Sequence, residues 1–499
     1  MNIKKFISLV SAMCITAVGF YGCGDSEKNS GKKYGLDPEK PATVTIWHYY
    51  NGVQQENFDN AVIEFNETVG RQQGIVVEAY SKGSIEELSN SVLASIKRDA
   101  GAEDVPDMFA AYAESAYSAD KFGNIVDLSK YFTEEELEEY VDGYIDEGRI
   151  NNDGSLKIFP TAKSTEVMML NLTDWQKFAD SENVSTDDLR TWEGVVETAE
   201  KYYKYTDSLT PDIENDGKAF FGRDSVANYM LVGAKQLGAE FFTNKDGEFI
   251  INVDKEVLRR LWENYYVPYV KGYFTAESRY RSDDAKIGEI IALICSTTGS
   301  AYFPETVTID DDYTYPIEAL VLPVPNFEGT EPYLVQQGAG MVVTESDEKT
   351  EYACTVFLKW FTEKERNISF SVGSGYMPVK KDANDKSFIS FDNVETESQL
   401  LIDALKVAID EIQNYNLYTA KPFEDTAKAR SFIGDYIQNT AQSAFDESYF
   451  RITGGENRDK VISEYVSNEA FEEWYDGFYK GLITELGFEN ELGFDECLE

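Results

Sequence analysis

The sequence predicts an α/β fold with mostly parallel sheets and helices on both faces. Three observations carry this. Apolar strand-like runs alternate with segments of helical periodicity from Val44 onward, the order that buries a parallel sheet between helices. Two serine/threonine-to-glutamate capping patterns mark helix starts between those runs. And 499 residues, at ~150 residues per domain, give a prior of about three domains.

The elements follow in order. Val44–Trp47 reads as a strand, and Phe58, Ala61, Val62 and Phe65 recur at helical spacing after it. Gly74–Tyr80 (GIVVEAY) reads as a second strand. Ser84 with Glu87 forms the first capping box, ahead of an apolar face of Leu88, Val92, Leu93 and Ile96. Val105–Ala111 (VPDMFAA) reads as a short buried strand, and Thr133 with Glu136 as the second capping box. Asn152-Asp153-Gly154 is a hairpin-type turn. Leu156–Ala162 and Thr165–Asn171 read as extended. Trp192, Val195, Val196, Ala199 and Tyr203 form an amphipathic helix. Ile287–Cys295, Ala319–Val324 and Gly338–Thr344 follow as apolar, strand-like runs, and Ala353, Val356, Phe357 and Trp360 mark another helix. From about Asp382 the chain is mainly helical and acidic.

The 45 Lys+Arg and 90 Asp+Glu residues leave a net charge of −45. Such a surface repels phosphate backbones, which argues against nucleic-acid binding, and repels anionic membrane surfaces too. Lys4 and Lys5 precede the apolar run Phe6–Phe20, too short to span a bilayer, and together they read as a secretory signal peptide over residues 1–22. Cys23, behind Gly22, resembles a lipobox cysteine, with Phe20 and Tyr21 standing where that pattern has Leu and a small residue. It is expected to carry lipid, with residues 23–42 as the linker from anchor to body. Membrane contact is expected only through that anchor. Cys295, Cys354 and Cys497 are too widely spaced for a disulfide framework or a metal pair.

The ordered segments resemble extracellular solute-binding proteins of ABC importers, in the carbohydrate-binding family that includes maltodextrin-binding proteins. The matching stretches are VTIWHYYNGVQQENFDNAVIEFNE, VPDMFAAYAESAYSADKFGNIVDLSKYF, LKIFPTAKSTEVMMLNLTDWQKF, TWEGVVETAEKYYK, the run from ALVLPVPNF to FLKWFTEKE, and SFSVGSGYMPVKKD. The resemblance implies a two-lobed periplasmic-binding-protein-like fold with discontinuous lobes joined by a hinge. Lobe 1 would take 44–159 and 333–370, and lobe 2 would take 160–332 and 371–499. It further implies a monomer on the extracellular face of the bacterial cytoplasmic membrane that binds a carbohydrate, needs no cofactor and delivers its ligand to the transmembrane subunits of a permease.

Sugars present hydroxyls and C–H faces, so the candidate site residues are rings and hydrogen-bonding groups. His48, Tyr49 and Tyr50 end the first strand. His48, the only histidine, reads as a cleft wall or as a satisfied core ring, while Trp47 is assigned to the core. Tyr112 and Glu114 follow VPDMFAA. Glu166, in STEVMMLN, matches a segment whose Glu binds sugar in relatives. Asn228 and Tyr229, Ser296 and Thr297, Gly338, Tyr376, Tyr418 and Phe423 complete the set. STTGSAY lacks the Trp that relatives often place there, which points to a different or smaller ligand. Asp212–Gly217 has calcium-loop spacing, but Arg223 stands where a bidentate Glu is needed. It reads as a polar turn, and no metal site is expected. No nucleophile motif accompanies His48. A glycosidase using paired carboxylates and a surface sensor or adhesin are the alternative functions.

Overall fold

The computed structural model describes residues 31–245, 248–389 and 398–487. The expected signal peptide, Cys23 and Cys497 lie outside the described residues. The linker expected to reach Ala42 is already part of the body over its last residues. Tyr34 stacks on Tyr352 with ring centroids 4.2 Å apart, and Leu36 is buried in the first core.

The first sheet has four strands in the order Gly340–Val343, Met108–Ala111, Ala42–His48, Ile75–Ser81. Ala42–His48 runs parallel to both of its neighbours, and Gly340–Val343 runs antiparallel to Met108–Ala111. All four residues of Met108–Ala111 are buried, as an inner strand covered on both faces requires. The helix Gly52–Phe65 turns Phe58, Ala61, Val62 and Phe65 inward. Both expected capping boxes are formed, by Ser84 with Glu87 and by Thr133 with Glu136.

The second sheet runs Ala319–Leu322, Glu166–Asn171, Ala292–Ser296, Phe221–Arg223. Glu166–Asn171 is antiparallel to both neighbours, and only Phe221–Arg223 with Ala292–Ser296 is parallel. "Mostly parallel" thus describes the first sheet and not the second, because the central strand of the second enters from the lobe crossing and runs against its neighbours. As expected, the C-terminal third is mainly helical: Gln399–Asn414, Thr426–Thr453, Arg458–Tyr465 and Asn468–Glu485. Between the first two of these, Asn416–Tyr418 pairs in parallel with Tyr333–Val335.

Separate hydrophobic cores pack around the two sheets, with a further cluster between the second sheet and the Gln399–Asn414 helix. The chain crosses between lobes three times. It leaves the first core after Ala162, returns between Leu334 and Ala339, and leaves again after Val379, the stretch 368–379 alternating between the first core (Phe370, Tyr376, Val379) and the third cluster (Ile368, Val372, Met377). The crossing segments are hydrogen-bonded to one another. Phe159 and Met341 exchange amide bonds of 2.8 Å each, Ser164 and Gln337 exchange bonds of 2.9 Å each, and Lys163 and Met377 exchange bonds of 3.1 and 2.6 Å. Gly338 has φ +87°, and a Cβ there would stand 2.8 Å from the Ala162 carbonyl oxygen. Only glycine fits both that backbone and that approach.

The ring run at the end of the first strand divides by the two-residue period of extended chain. His48 and Tyr50 are 0% and 1% exposed, which makes them core residues and corrects their assignment as ligand contacts. The His48 ring stacks on Tyr50 at 5.3 Å and meets Phe58 edge-on at 5.0 Å, and its Nδ1 accepts the Tyr50 amide at 3.2 Å. Trp47 is core as expected, with the Lys82 ammonium 3.8 Å over its ring. Burial pushes the His48 pKa down to about 4 from 6.5, so the folded protein keeps the ring neutral.

Two predictions follow from this packing. Gly338→Ala should destabilise the protein by about 1–3 kcal/mol, read as a lower denaturation midpoint with an unchanged slope. His48 binds a proton in the unfolded chain below pH 6.5 but not in the folded one, so its contribution to stability is lost as pH falls from 6.5 toward about 4. Between pH 7 and pH 4, His48→Phe should therefore lose up to about 3 kcal/mol less stability than the native chain. Equal losses in the two proteins would show that the folded ring titrates normally.

Candidate functional site

The crossing segments floor a cleft onto which strand ends of both sheets open, the usual place for ligands in open α/β sheets. On the first lobe, Met108–Ala111 runs into Tyr112, whose extended backbone precedes the helix Ala113–Asp120. That turn delivers Tyr112 and Glu114. Opposite, Phe221–Arg223 leads to Ser225, whose Oγ accepts the Asn228 amide at 3.3 Å and starts the helix Val226–Gln236. That turn delivers Asn228.

A cavity of about 240 Å³ lies between them. The first lobe lines it with Tyr112, Ala113, Glu114 and Glu147. The second contributes Asn228, Leu231, Val232 and Phe242. Val335, Gln336 and Gln337 come from a crossing segment, and Tyr418, Thr419, Ala420, Phe423, Thr426 and Arg430 from the C-terminal part. Of the residues expected from sequence, Tyr112, Glu114, Asn228, Tyr418 and Phe423 are brought together here. Sequence reasoning missed Glu147, Gln336, Gln337, Thr419 and Arg430. The two glutamines stand directly before Gly338 in YLVQQGAG, and that adjacency to a glycine-dependent crossing was the available signal. Glu147 and Arg430 lie in ordinary-looking helical charge patterns that give no signal.

Two buried charge networks hold this wall. The Glu166 carboxylate accepts from the Arg223 guanidinium and, at 2.7 Å, from Asn228 Nδ2, and Asn228 Oδ1 accepts from the Arg430 guanidinium. Charge-assisted bonds of this kind are about twice the strength of neutral ones. Both Glu166 oxygens are therefore committed to protein groups, and the void beside them is only about 20 Å³. Glu166, expected as a ligand contact, is thus tied to Arg223 and holds the amide of Asn228. In the second network the Lys163 ammonium binds the Glu147 carboxylate and donates to the Gly338 carbonyl at 2.7 Å. Burial pushes the Glu147 pKa up, Lys163 opposes this, and the charge of Glu114 adds to it.

Three polar groups lining the cavity are buried without a protein hydrogen-bond partner: Gln336 Oε1, Gln337 Oε1 and Thr419 Oγ1. Such groups are costly unless something pairs with them. They belong to residues of a wall that also carries the Tyr112, Tyr418, Phe423 and Phe242 rings.

The remaining expected contacts are structural. Tyr49 sits behind the cavity wall, its hydroxyl 3.2 Å from that of Tyr376, which is buried. The Tyr229 hydroxyl donates to the Leu261 carbonyl at 2.8 Å, and its ring meets Trp192 edge-on at 4.8 Å, deep in the second core. Thr297 ties the crossing, its Oγ1 donating to the Gly375 carbonyl at 2.9 Å and its amide to Thr165 at 2.8 Å. Ser296 Oγ bonds Thr298 Oγ1 and the Gly299 amide. Gly338 serves chain approach rather than ligand approach. Each of these side chains follows a buried strand end or crossing, where backbone closure uses the polar atoms that a ligand would need. In the Asp212–Gly217 turn, Asp216 accepts from Thr210 and donates its amide to Asp207. Among the described residues no cluster of three or more metal-ligating side chains occurs, and no helix is long and apolar enough to cross a membrane.

A family model described as bacterial extracellular solute-binding protein matches residues 60–396. Comparison with curated proteins finds no match. Among solved structures, the cyclic α-maltosyl-1,6-maltose binding protein of Arthrobacter globiformis is 18% identical with a TM-score of 0.62, covering 88% of this chain and 100% of that one. UgpB of Mycobacterium tuberculosis, in complex with glycerophosphocholine, is 15% identical with a TM-score of 0.63, covering 90% and 99%. The maltotriose binding protein of Thermus thermophilus, bound with maltotriose, is 15% identical with a TM-score of 0.53, covering 88% and 100%. At such identities these structures speak to the fold, which they share over nearly their whole length. With the family model matching well over half of its residues, the chain belongs to the bacterial extracellular solute-binding proteins, a family of binding proteins rather than enzymes.

Proposed function

We propose that this protein captures an oligosaccharide between its lobes, unaltered, and delivers it to an ABC permease from a lipid anchor at Cys23. The observation that carries the reading is the set of unpartnered acceptors, Gln336 Oε1, Gln337 Oε1 and Thr419 Oγ1, around a cavity walled by aromatic rings. Hydroxyls satisfy such acceptors, and ring faces take up sugar C–H faces. Structural neighbours named for maltose-type sugars lend support. Lobe boundaries near residues 159 and 333–370, with hinge closure about the crossing segments, fit the same reading. The anchor and the permease partner rest on the sequence pattern and on membership of the family.

Calorimetry against a panel of oligosaccharides tests it: saturable binding of one class without product formation is expected. Binding of glycerophosphodiesters with silence across sugars would redirect the reading. Asn228→Ala should weaken the bound sugar by about 1–3 kcal/mol, by leaving Glu166 and Arg430 without the buried amide that joins them behind the wall. Glu166→Ala should weaken binding as well and also lower folding stability, because it leaves Arg223 buried without its carboxylate. An Asn228→Ala variant of unchanged affinity and intact fold would remove that amide from the site.

A further inference from the structure

The helix Gln399–Asn414 packs a stripe of Leu401, Ala404, Leu405 and Ala408 against the second sheet. The next position of that stripe, where the spacing asks for an apolar residue, is Glu411. It is 1% exposed. Its Oε1 accepts the Val324 amide at 2.8 Å, and its Oε2 is buried without a protein partner. The place is a junction. The neighbouring Ile412 packs against all three apolar clusters, and Val324 lines the small void behind the cleft together with Glu166, Arg223 and Asn228.

Among the described residues no cation pairs with this carboxyl. The strand Glu166–Asn171 brings the Glu166 carboxylate to act on it, and Arg223 beyond is already bound to Glu166. The strand Ala319–Leu322 carries no titratable side chain. The turn Gly299–Tyr302 carries only Tyr302, which points to solvent at 78% exposure. On its own helix Asp410 adds a second negative charge and pairs with Lys386, while Lys406 stands about 140° round the helix axis. The half-buried Tyr415 follows one turn on, and Arg190, beside Asn326, pairs with Asp187 at the surface.

An ionised carboxylate in that place would be a buried charge with one amide bond and two negative neighbours. Taking such an ion out of water costs more than one charge-assisted bond returns. A neutral acid avoids that cost, and its Oε1 still accepts the Val324 amide. Burial, with Glu166 and Asp410 opposing a further negative charge, pushes the Glu411 pKa well up.

We infer that Glu411 is a proton-operated latch behind the cleft. Protonated, its carboxyl joins the helix Gln399–Asn414 to Val324 and adds no charge beside Glu166. When the proton leaves to solvent, the carboxylate draws water into the junction, and the wall carried by Val324 and Glu166 loosens. Rising pH opens the latch and falling pH resets it, whatever guest occupies the cleft. The folded chain holds a proton that the unfolded chain, with an ordinary carboxyl near 4.5, gives up. Stability from Glu411 is therefore full below pH 4.5 and lost as pH rises toward the folded value, the opposite sense to His48.

The test compares the native full chain, without ligand, with Glu411→Gln, which copies the shape of the neutral acid. Both carry His48, so its titration cancels. From about pH 5 to about pH 8 the native folding constant should fall relative to that of the variant by about tenfold per pH unit, until Glu411 ionises in the folded chain. Toward the alkaline end the amides of 166–168 and of Val324 should exchange faster in the native chain than in the variant. At neutral pH the native infrared spectrum should contain a protonated-carboxyl band that Glu411→Gln lacks. Parallel stability profiles, equal exchange at those amides, or identical carboxyl bands in the two chains would each overturn the inference. If Glu411→Gln does not fold, Glu411→Met takes its place in all three comparisons.

Discussion

The exchange of backbone hydrogen bonds among the three lobe-crossing segments is the constraint on which the rest of the structure depends. Ser164–Gln337 and Lys163–Met377 are paired across it, with Phe159–Met341 paired just inside the first core. With only three thin connections the lobes remain separate packing units, each with its own core. The pairing nevertheless fixes where Gln336 and Gln337 stand relative to Tyr112 on one side and Asn228 on the other. The ammonium of Lys163, buried between the Glu147 carboxylate and the Gly338 carbonyl, adds a charge to that junction which is expensive to leave unpaired.

Part of the buried charge gathers behind the cleft. A protein with this excess of acid could solvate nearly all of it, yet Glu166, Arg223 and Asn228 form a connected buried set directly behind the cleft, which the half-buried Arg430 joins. Each member has a partner that pre-orients it, so the wall of the cavity is held before any ligand arrives. Pre-organisation of this kind lowers the ordering cost of binding.

Much of the fold was legible because its signals are local. The capping boxes at Ser84 and Thr133, the 3.6-residue spacing of Phe58 to Phe65 and the apolar run before Cys295 each specify an element without reference to the rest of the chain. The sense of the Glu166–Asn171 strand was not legible, since direction within a sheet is decided by the crossing that precedes it. The site was half legible. Residues just past strand ends, Tyr112, Glu114 and Asn228, do reach the cavity. His48, Tyr50 and Tyr229 do not, because side-chain alternation and helix phase turn them into cores. Glu147 and Arg430 come from helices whose docking only the assembled lobes define.

The central claim is that both lobes and the crossing between them grip one guest. Hydrogen exchange of the full chain, with and without a saturating oligosaccharide identified by calorimetry, tests it most directly. The account predicts slowed exchange at 112–114, at 335–338 and at 418–420 together. Slowing on one lobe alone, or at none of these segments while the sugar is bound, would contradict it.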